Sequence, residues 1–286
     1  RPTSEDIAGG IEAALGALLQ QAGTRAGGSG DAVSDVSDVS DVCEVSAVSA
    51  VMIGTTQFLN AVVEARRLSR TAVVRLGLGT STFRFRAGQA ATLGRSSAAA
   101  KAYSMASSPD LERREHEIEF LIGTKRGGRL GPQLAGLTVG SAVSLTGPFG
   151  TFVLPEPLRE RRLLFVAGGT GIAPLRSMIH SALARRNPAA ITLLYSAQSP
   201  DGFAFVQEFR RLSRAGRLCL RLTATRKAGR AWRGRRGRIQ TSWLRQLLRA
   251  GPTLCFVCGQ PAFVENVSGM LKSLGLPPTR IKCEGY

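Results

Sequence analysis

Residues 165–174 read FVAGGTGIAP. An apolar strand runs into Gly168, Gly169 and Gly171, and a helix opens at Pro174 with apolar residues at Leu175, Met178, Ile179 and Leu183. That spacing is helical. Glycine permits positive φ and lets backbone approach a phosphate with no Cβ in the way. The helix start presents free N–H groups and the positive end of its dipole, and Thr170 adds a hydroxyl. A glycine-rich turn by itself is common. Placed after the first strand of a parallel sheet, where doubly wound folds bind dinucleotides, it reads as a nucleotide-binding loop.

The sequence around it alternates. Strands are expected at 163–167, 191–195, 218–224, 254–257 and 280–283, with helices at 174–185, 203–212, 242–248 and 262–274. This is the pattern of a parallel sheet covered by helices. Upstream the texture differs: strands are expected at 58–63, 71–78, 89–93, 102–107, 117–122 and 141–145, separated by turns. Residues 117–122 alternate with period two, as in a half-buried strand. Six strands with almost no helix suggest a small closed barrel. The expected fold is therefore two-domain: an antiparallel β-barrel at 55–157, then an α/β parallel-sheet domain at 158–286, meeting at the charged segment 156–162. Residues 1–54 form an N-terminal extension. A short amphipathic helix is expected at 5–21, then a flexible low-complexity linker at 23–51, where SDV occurs three times between Ser34 and Val42. A period of three fits neither a helix face nor a strand face.

Composition narrows the classes. A chain of 286 residues suits two domains, and 43% apolar with 20% charged residues excludes bulk disorder. No apolar run reaches the ~18 residues of a spanning helix. Five scattered cysteines fit neither a disulfide framework nor a four-cysteine iron–sulfur pattern, and two histidines argue against a His-rich metal site, so no metal is expected. Free cysteines suit a reducing compartment, and a soluble cytoplasmic location is expected. The chain starts at Arg1 without a charged-then-apolar leader pattern. The net charge is +18, and 33 of the 38 basic residues are Arg, which points to compositional bias. The charge is still uneven: residues 209–249 hold fourteen Arg or Lys and no Asp or Glu. Such a tract suits an anionic partner.

Other segments carry candidate chemistry. Residues 101–109 read KAYSMASSP on an expected strand. Lys101 and Tyr103 share one face and Ser104 takes the other, so a cation and an aromatic stand together where they can cradle a flat ring and its phosphate. FRAGQ (85–89) and GPFGTF (147–152) read as turns. FVCGQP (256–261) places Cys258 at the carboxyl edge of the sheet, where ligands bind. Cys255 and Cys258 point to opposite faces, which argues against a metal clip or a redox pair. The chain ends Glu284-Gly285-Tyr286, a carboxylate and an aromatic after the last strand.

In this order, the segments from about residue 58 to 286 resemble the ferredoxin–NADP reductase superfamily, above all the bacterial reductases that feed oxygenases and the cytochrome b5 reductases. The resemblance implies FAD (FMN is possible) in the barrel and NADPH or NADH in the second domain. It implies flavin contacts from Lys101, Ala102, Tyr103 and Ser104, and diphosphate contacts from Gly128 and Leu130. Gly168, Gly169, Thr170, Gly171 and Pro174 match the pyridine-nucleotide loop. Cys258 and Gly259 match the pair beside the nicotinamide, Glu284 the acid near the flavin, and Tyr286 the aromatic stacked on it. Ser104, Cys258, Glu284 and Tyr286 are the candidate catalytic residues. Thr225 and Arg226 end a strand where the adenosine ribose should lie, and Arg226 with Arg235 or Arg236 suits a 2′-phosphate, so NADPH is favoured. The implied reaction passes a hydride from NAD(P)H to FAD, then single electrons to a ferredoxin, haem or oxygenase partner. The basic tract suits an acidic electron-acceptor protein. The sequence departs from the family at Lys101 (usually Arg), Gly131 (usually Ser or Thr), Gln198 (often Arg) and Gln260 (usually Pro). These departures motivate one alternative, a degenerate flavin-free relative. A basic binding module without redox activity is the other; a nucleic-acid role is not expected, because no recognised motif occurs.

Overall fold

The computed structural model describes residues 50–52, 71–78, 83–94, 100–124, 141–185, 189–226, 228–248 and 251–286. All of them fall in one compact unit, Cys43–Tyr286. The expected helix at 5–21, the strand at 58–63 and the candidate diphosphate residues Gly128, Leu130 and Gly131 lie outside the described residues.

The first half is antiparallel. Its elements are β1 (Ala50–Met52), β2 (Thr71–Gly77), β3 (Ala90–Gly94), β4 (Ala100–Ser104), the short helix α1 (Pro109–Glu115), β5 (Glu117–Gly123) and β6 (Ser144–Phe149). They form two three-stranded sheets, ordered β1-β2-β5 and β4-β3-β6. A Met105–Phe120 bridge joins them, and Val74, Leu76, Phe83, Leu93, Phe120 and Leu145 fill the space between. Three expectations need correcting. The end of the expected linker, Ala50 and Val51, pairs as β1 with β2. GPF at 147–149 is the end of β6 and not a turn; β6 pairs only with β3 among the described strands, so Pro148 interrupts no ladder on its other side. Strand β5 is not half-buried: Ile118 through Ile122 are all buried. Its second face is covered by the other half of the molecule, where Leu121 joins the cluster of Phe165, Leu175 and Met178.

The second half runs β7 (Arg162–Gly168), α2 (Ile172–Leu183), β8 (Ala190–Ala197), α3 (Val206–Arg214), β9 (Cys219–Ala224), β10 (Arg235–Arg236), α4 (Thr241–Leu248), β11 (Leu254–Gly259), α5 (Pro261–Ser273) and β12 (Ile281–Gly285). The six strands are all parallel, ordered β10-β9-β8-β7-β11-β12. Strand β10 was expected as loop. The chain builds outward from β7 to β10, then returns to lay β11 and β12 on the opposite side. The order therefore reverses at β7, and a ligand crevice opens at the carboxyl end of that strand. Gly169–Gly171 form a single 3-10 turn there, followed at once by α2. No helix among the described residues is long and apolar enough to cross a membrane.

The two halves meet over apolar surface with a charged rim. A Cβ on Gly88, in the FRAGQ turn, would lie 2.2 Å from the Phe152 carbonyl and 2.3 Å from Met178 Cε, so the barrel turn packs directly on α2. On the rim, Arg75, Glu119, Arg176, Glu208 and His180 form a continuous chain of contacts. Burial pushes both carboxyls up, yet their partners win. Arg176 and Arg75 hold Glu119 below its ordinary value, and His180 and Arg176 hold Glu208 down at about 2.

A carboxyl whose folded pKa is depressed stabilises the fold above its unfolded value of ~4.3 and loses that contribution as pH falls toward the folded value. The urea midpoint is therefore expected to hold steady from about pH 7 to pH 5 as far as these groups are concerned, then drop steeply toward pH 2. Glu208→Gln should lower the midpoint at pH 7 and flatten the drop; an unchanged slope would remove Glu208 from the acid transition.

Candidate active site

Four strand ends supply the site. Register places Ala167 beside Cys258, Cys258 beside Glu284, and Gly259 beside Gly285. The nucleotide loop, the Cys258-Gly259 pair and the terminal Glu284-Gly285-Tyr286 thus share one edge of the sheet. Barrel strand β4 reaches the same place, where Ser104 Oγ donates to Glu284 Oε2 at 3.3 Å. Cys258 Sγ lies 4.0 Å from that same oxygen. Burial raises the Glu284 pKa against the pull of the Ser104 hydrogen bond. Burial, then the nearby Glu284 charge, pushes the Cys258 thiol well up. The thiol therefore stays protonated at neutral pH and is no nucleophile.

The loop is built on missing side chains. A Cβ on Gly171 would sit 2.3 Å from the Cys258 carbonyl oxygen, and one on Gly168 or Gly259 would sit 2.8 Å from the Phe263 ring. Gly169 has φ +59, and a Cβ there would meet only the Tyr286 hydroxyl, at an ordinary 3.9 Å. From behind, Tyr195 Oη donates to the Gly169 carbonyl at 3.1 Å and accepts from Ala204 N at 3.1 Å. The terminal Tyr286, 56% exposed, inserts its hydroxyl into this loop. It accepts from Thr170 Oγ1 at 2.6 Å and donates to the Gly168 carbonyl at 3.1 Å. Backbone N–H groups of Gly171 and Thr170 are also directed at it. A phenol oxygen thus occupies the helix N-terminal cage that suits a phosphate oxygen, and the residues present fit a pyridine nucleotide.

On the barrel side, Ala90 pairs with Ser104 on β4 and with Phe149 on β6. Residues opposite one another in an antiparallel ladder share a face, so Ser104 and the 41% exposed Phe149 flank one rung. Tyr103 is half-buried against the barrel core. Lys101 and Ala102 are exposed, with no ion pair or hydrogen bond of the Lys101 side chain among the described residues. A hydroxyl, exposed aromatic surface and a free cation on one small sheet fit a flavin and its phosphate.

The 2′-phosphate candidates separate. Thr225 N and Arg226 N donate to the Ala197 and Gln198 carbonyls at 2.9 Å each, leaving the Arg226 side chain exposed at the sheet edge. Arg235 instead lies over the Trp243 ring at 4.4 Å and reaches Gln246, on the α4 side of the sheet. Arg236, its neighbour on the strand, turns the other way to the Ala228 and Gly229 carbonyls in the loop that follows Arg226. Alternation within β10 sends the two arginines to opposite faces. Sequence reasoning singled out neither Phe149 nor Arg176. Phe149 was hidden in an assumed turn. Arg176 carried one weak signal, a cation four residues before His180 on a helix whose other faces are apolar or small.

The fold and this arrangement define a two-domain oxidoreductase that pairs a flavin with a pyridine nucleotide. Residues 60–154 match the oxidoreductase FAD-binding domain family and residues 165–269 the oxidoreductase NAD-binding domain family. The chain is 31% identical over 194 residues to ferredoxin–NADP reductase B of Sorangium cellulosum, covering 65% of this chain and 78% of that one. It is 30% identical over 206 residues to the ferredoxin–NAD(P)(+) reductase component of the naphthalene 1,2-dioxygenase system of Pseudomonas putida, covering 71% of this chain but only 61% of the relative's length. Among solved structures, the Amycolatopsis cytochrome P450 reductase GcoB superposes with a TM-score of 0.67 at 27% identity, over 78% of this chain and 67% of that one. The chain belongs to the ferredoxin–NADP reductase family.

The glycine geometry yields a graded prediction. Gly171 has ordinary helical φ of −60, so alanine there is opposed only by the backbone 2.3 Å away. Gly171→Ala is expected to cost about 1–3 kcal/mol by overpacking. Gly169→Ala has room for its Cβ and is expected to lose only the ~1–2 kcal/mol of a left-handed conformation. Thermal melts with and without NADPH separate the two: Gly171→Ala should also lose the ligand-induced shift in Tm, because it displaces Cys258 against the loop.

Proposed function

We propose that this chain is an NAD(P)H-dependent flavoprotein reductase that takes a hydride onto FAD and passes single electrons to a ferredoxin, haem or oxygenase partner. The observation that carries the reading is the meeting of Ser104 from the barrel with Glu284 and Cys258 from the sheet, beside the glycine loop. The domain division goes with it: residues 55–157 hold the flavin and residues 158–286 the nucleotide.

In this reading each group has a physical task. Lys101, Ala102 and Tyr103 hold the flavin, with Gly128 and Leu130 on its diphosphate, and Phe149 extends the aromatic surface. Bound FAD supplies the chemistry of accepting two electrons together and releasing them singly. The N–H groups and hydroxyl of Gly169, Thr170 and Gly171 bind the nucleotide phosphate, and Pro174 sets the start of the helix behind them. Tyr286 must leave that cage before the nucleotide can enter. Cys258 and Gly259 then present a neutral, close surface to the incoming ring. Ser104 donates a hydrogen bond to Glu284 at the junction of the two domains, where burial raises the carboxyl's pKa. Arg226, helped by Thr225 and Arg236, takes the 2′-phosphate, which favours NADPH; Arg235 is committed to Trp243. The acceptor is an acidic protein drawn by the cationic tract at 209–249, so its reduction should slow as salt shortens the ~10 Å Debye length of 0.1 M solution.

The test is anaerobic titration of FAD-reconstituted protein with NADPH and NADH, followed at the flavin absorbance. Bleaching by either is expected, with higher kcat/KM for NADPH. Protein that takes up no FAD favours the flavin-free alternative. Replacing Arg226 and Arg236 together by Ala should cost NADPH about 10–100-fold in kcat/KM, the worth of one or two charge-assisted hydrogen bonds, and leave NADH nearly unchanged. Tyr286→Phe should lower KM for the nucleotide, since the cage loses its internal competitor; a raised KM would contradict the competition.

A further inference from the structure

Helix α2 carries a cation that neither the nucleotide loop nor the flavin wall accounts for. Arg176 lies about one turn beyond Gly171, and only 12% of its side chain is exposed. Nη1 donates to Glu119 Oε2 at 2.7 Å and to the Ala106 carbonyl at 2.9 Å. Nε donates to Glu208 Oε1 at 3.0 Å and Nη2 to Glu208 Oε2 at 2.9 Å. The guanidinium also lies over the Phe205 ring at 4.3 Å. One side chain on the nucleotide helix thus grips barrel strand β5, the segment leaving β4, and helix α3. The carboxylates are themselves anchored: Arg75 Nη2 donates to Glu119 at 2.7 Å, and His180 Nε2 lies 2.6 Å from Glu208.

The two ends of this grip matter. Ala106 is two residues beyond Ser104, and its N–H donates to the Glu119 carbonyl at 2.7 Å. Arg176 therefore holds the same stretch of backbone that presents Ser104. At the other end, α2 begins at Ile172, directly after Gly171, so about one rigid turn links Arg176 to the phosphate cage. Burial is nearly complete on the barrel side, with Glu119 6% exposed, and partial at Glu208, with 23%. A guanidinium suits this place because its planar fork spans two carboxylates and a carbonyl at once; a lysine ammonium is a single point.

We infer that Arg176 is a positioning residue that sets the gap between the flavin wall at Ser104 and the nucleotide loop at Gly168–Gly171, touching neither ligand. The kinetic side of this inference rests on the proposed reductase function; the structural side does not. Without the guanidinium, two buried carboxylates lose their shared cation and α2 loses its tie to β5. Nucleotide and flavin each still find their own contacts, but the separation between them is no longer fixed. A displacement of about 1 Å in such a geometry costs about 100-fold in rate.

Two variants and two readouts test it. Arg176→Lys keeps the charge and loses the fork. The triple variant Arg176→Met, Glu119→Gln, Glu208→Gln removes the three charges together, so that no buried ion is stranded: Arg75 keeps Glu117 at 3.4 Å, and Arg75 and His180 are both partly exposed. In FAD-loaded protein, the limiting rate of bleaching by NADPH is expected to fall about tenfold for the lysine variant and about 100-fold for the triple variant, with nucleotide Kd and flavin content within about twofold. The second readout uses apoprotein and no turnover: alkylation of buried Cys258, followed by peptide mass spectrometry with exposed Cys283 as internal standard. The Cys258-to-Cys283 ratio should rise about tenfold in the triple variant as the junction opens. Wild-type rate and wild-type labelling in that variant overturn the inference. So does a rate loss matched by an equal loss of nucleotide affinity, which would make Arg176 a binding residue. Should the lysine variant not fold, the triple variant carries both readouts. Wild-type protein that neither nucleotide bleaches ends the reductase reading, while the labelling ratio still judges the clamp.

Discussion

Backbone lies against backbone at the carboxyl edge of the parallel sheet, and the arrangement of the site depends on that contact. The turn after β7 approaches the end of β11 so closely that a methyl group on Gly171 would fall 2.3 Å from the Cys258 carbonyl and 2.7 Å from Gly259 N. Gly168 and Gly259 repeat the approach from the other side, each with the Phe263 ring in the place of its absent side chain. Only glycine allows three such approaches within one small volume. Their consequence is alignment. With the loop drawn onto β11, register alone brings Glu284 beside Cys258 and the chain terminus over the loop. The ring of Phe263 fills the space beside Gly168 and Gly259 with apolar surface.

The junction between the barrel and the sheet divides its work between two kinds of force. Barrel residues Val73, Ala87, Leu121 and Phe152 share one apolar cluster with Phe165, Met178 and Phe256 from the second half. Phe256 stacks on Phe165 at 5.3 Å and meets Phe152 edge-on at 5.9 Å. Such burial is strong but non-directional, at ~25 cal/mol per Å² of apolar area. It holds the halves together without fixing the angle between them. The chain from Arg75 to His180 is directional, since each link is satisfied in only one orientation of a planar group. A buried ion chain adds little net stability over an apolar substitute. Its worth at this interface is geometric, because it ties the strand that presents Ser104 to the helix that presents the phosphate cage.

Much of this was legible from the residues, and what was not has a physical reason. The glycine loop announced itself because strand, glycines and helix follow one another within ten residues. The parallel half announced itself through the change from period two to helical spacing. Strand β5 misled, because period two in EIEFLI says which residues share a face and not what covers it. Glu119 stands on the polar side of that alternation and lies buried against Arg176, a contact across 57 positions of sequence. GPF at 147–149 looked like a turn because Gly and Pro usually make one, and the strand that continues through it hid Phe149. The arginines at 235 and 236 were indistinguishable until a two-residue pairing with β9 sent them to opposite faces.

The electrostatics of the crevice narrow the kind of chemistry its side chains can perform. Cys258 and Glu284 are both pushed toward their neutral forms by burial, and the carboxylate raises the thiol further. Cys255, three residues earlier on the opposite face, is likewise pushed up to about 12 by burial. Neither thiol is an anion near neutral pH, so neither is armed to attack a carbon. Tyr286 is raised as well, chiefly by burial, and its hydroxyl remains a proton donor to the Gly168 carbonyl. Side chains so placed supply hydrogen bonds and close packing and no thiolate nucleophile, so bond-making falls to whatever the crevice binds. Glu284, with Ser104 at 3.3 Å and Cys258 at 4.0 Å on one oxygen, is the ionisable group through which the barrel side and the sheet side of this edge communicate.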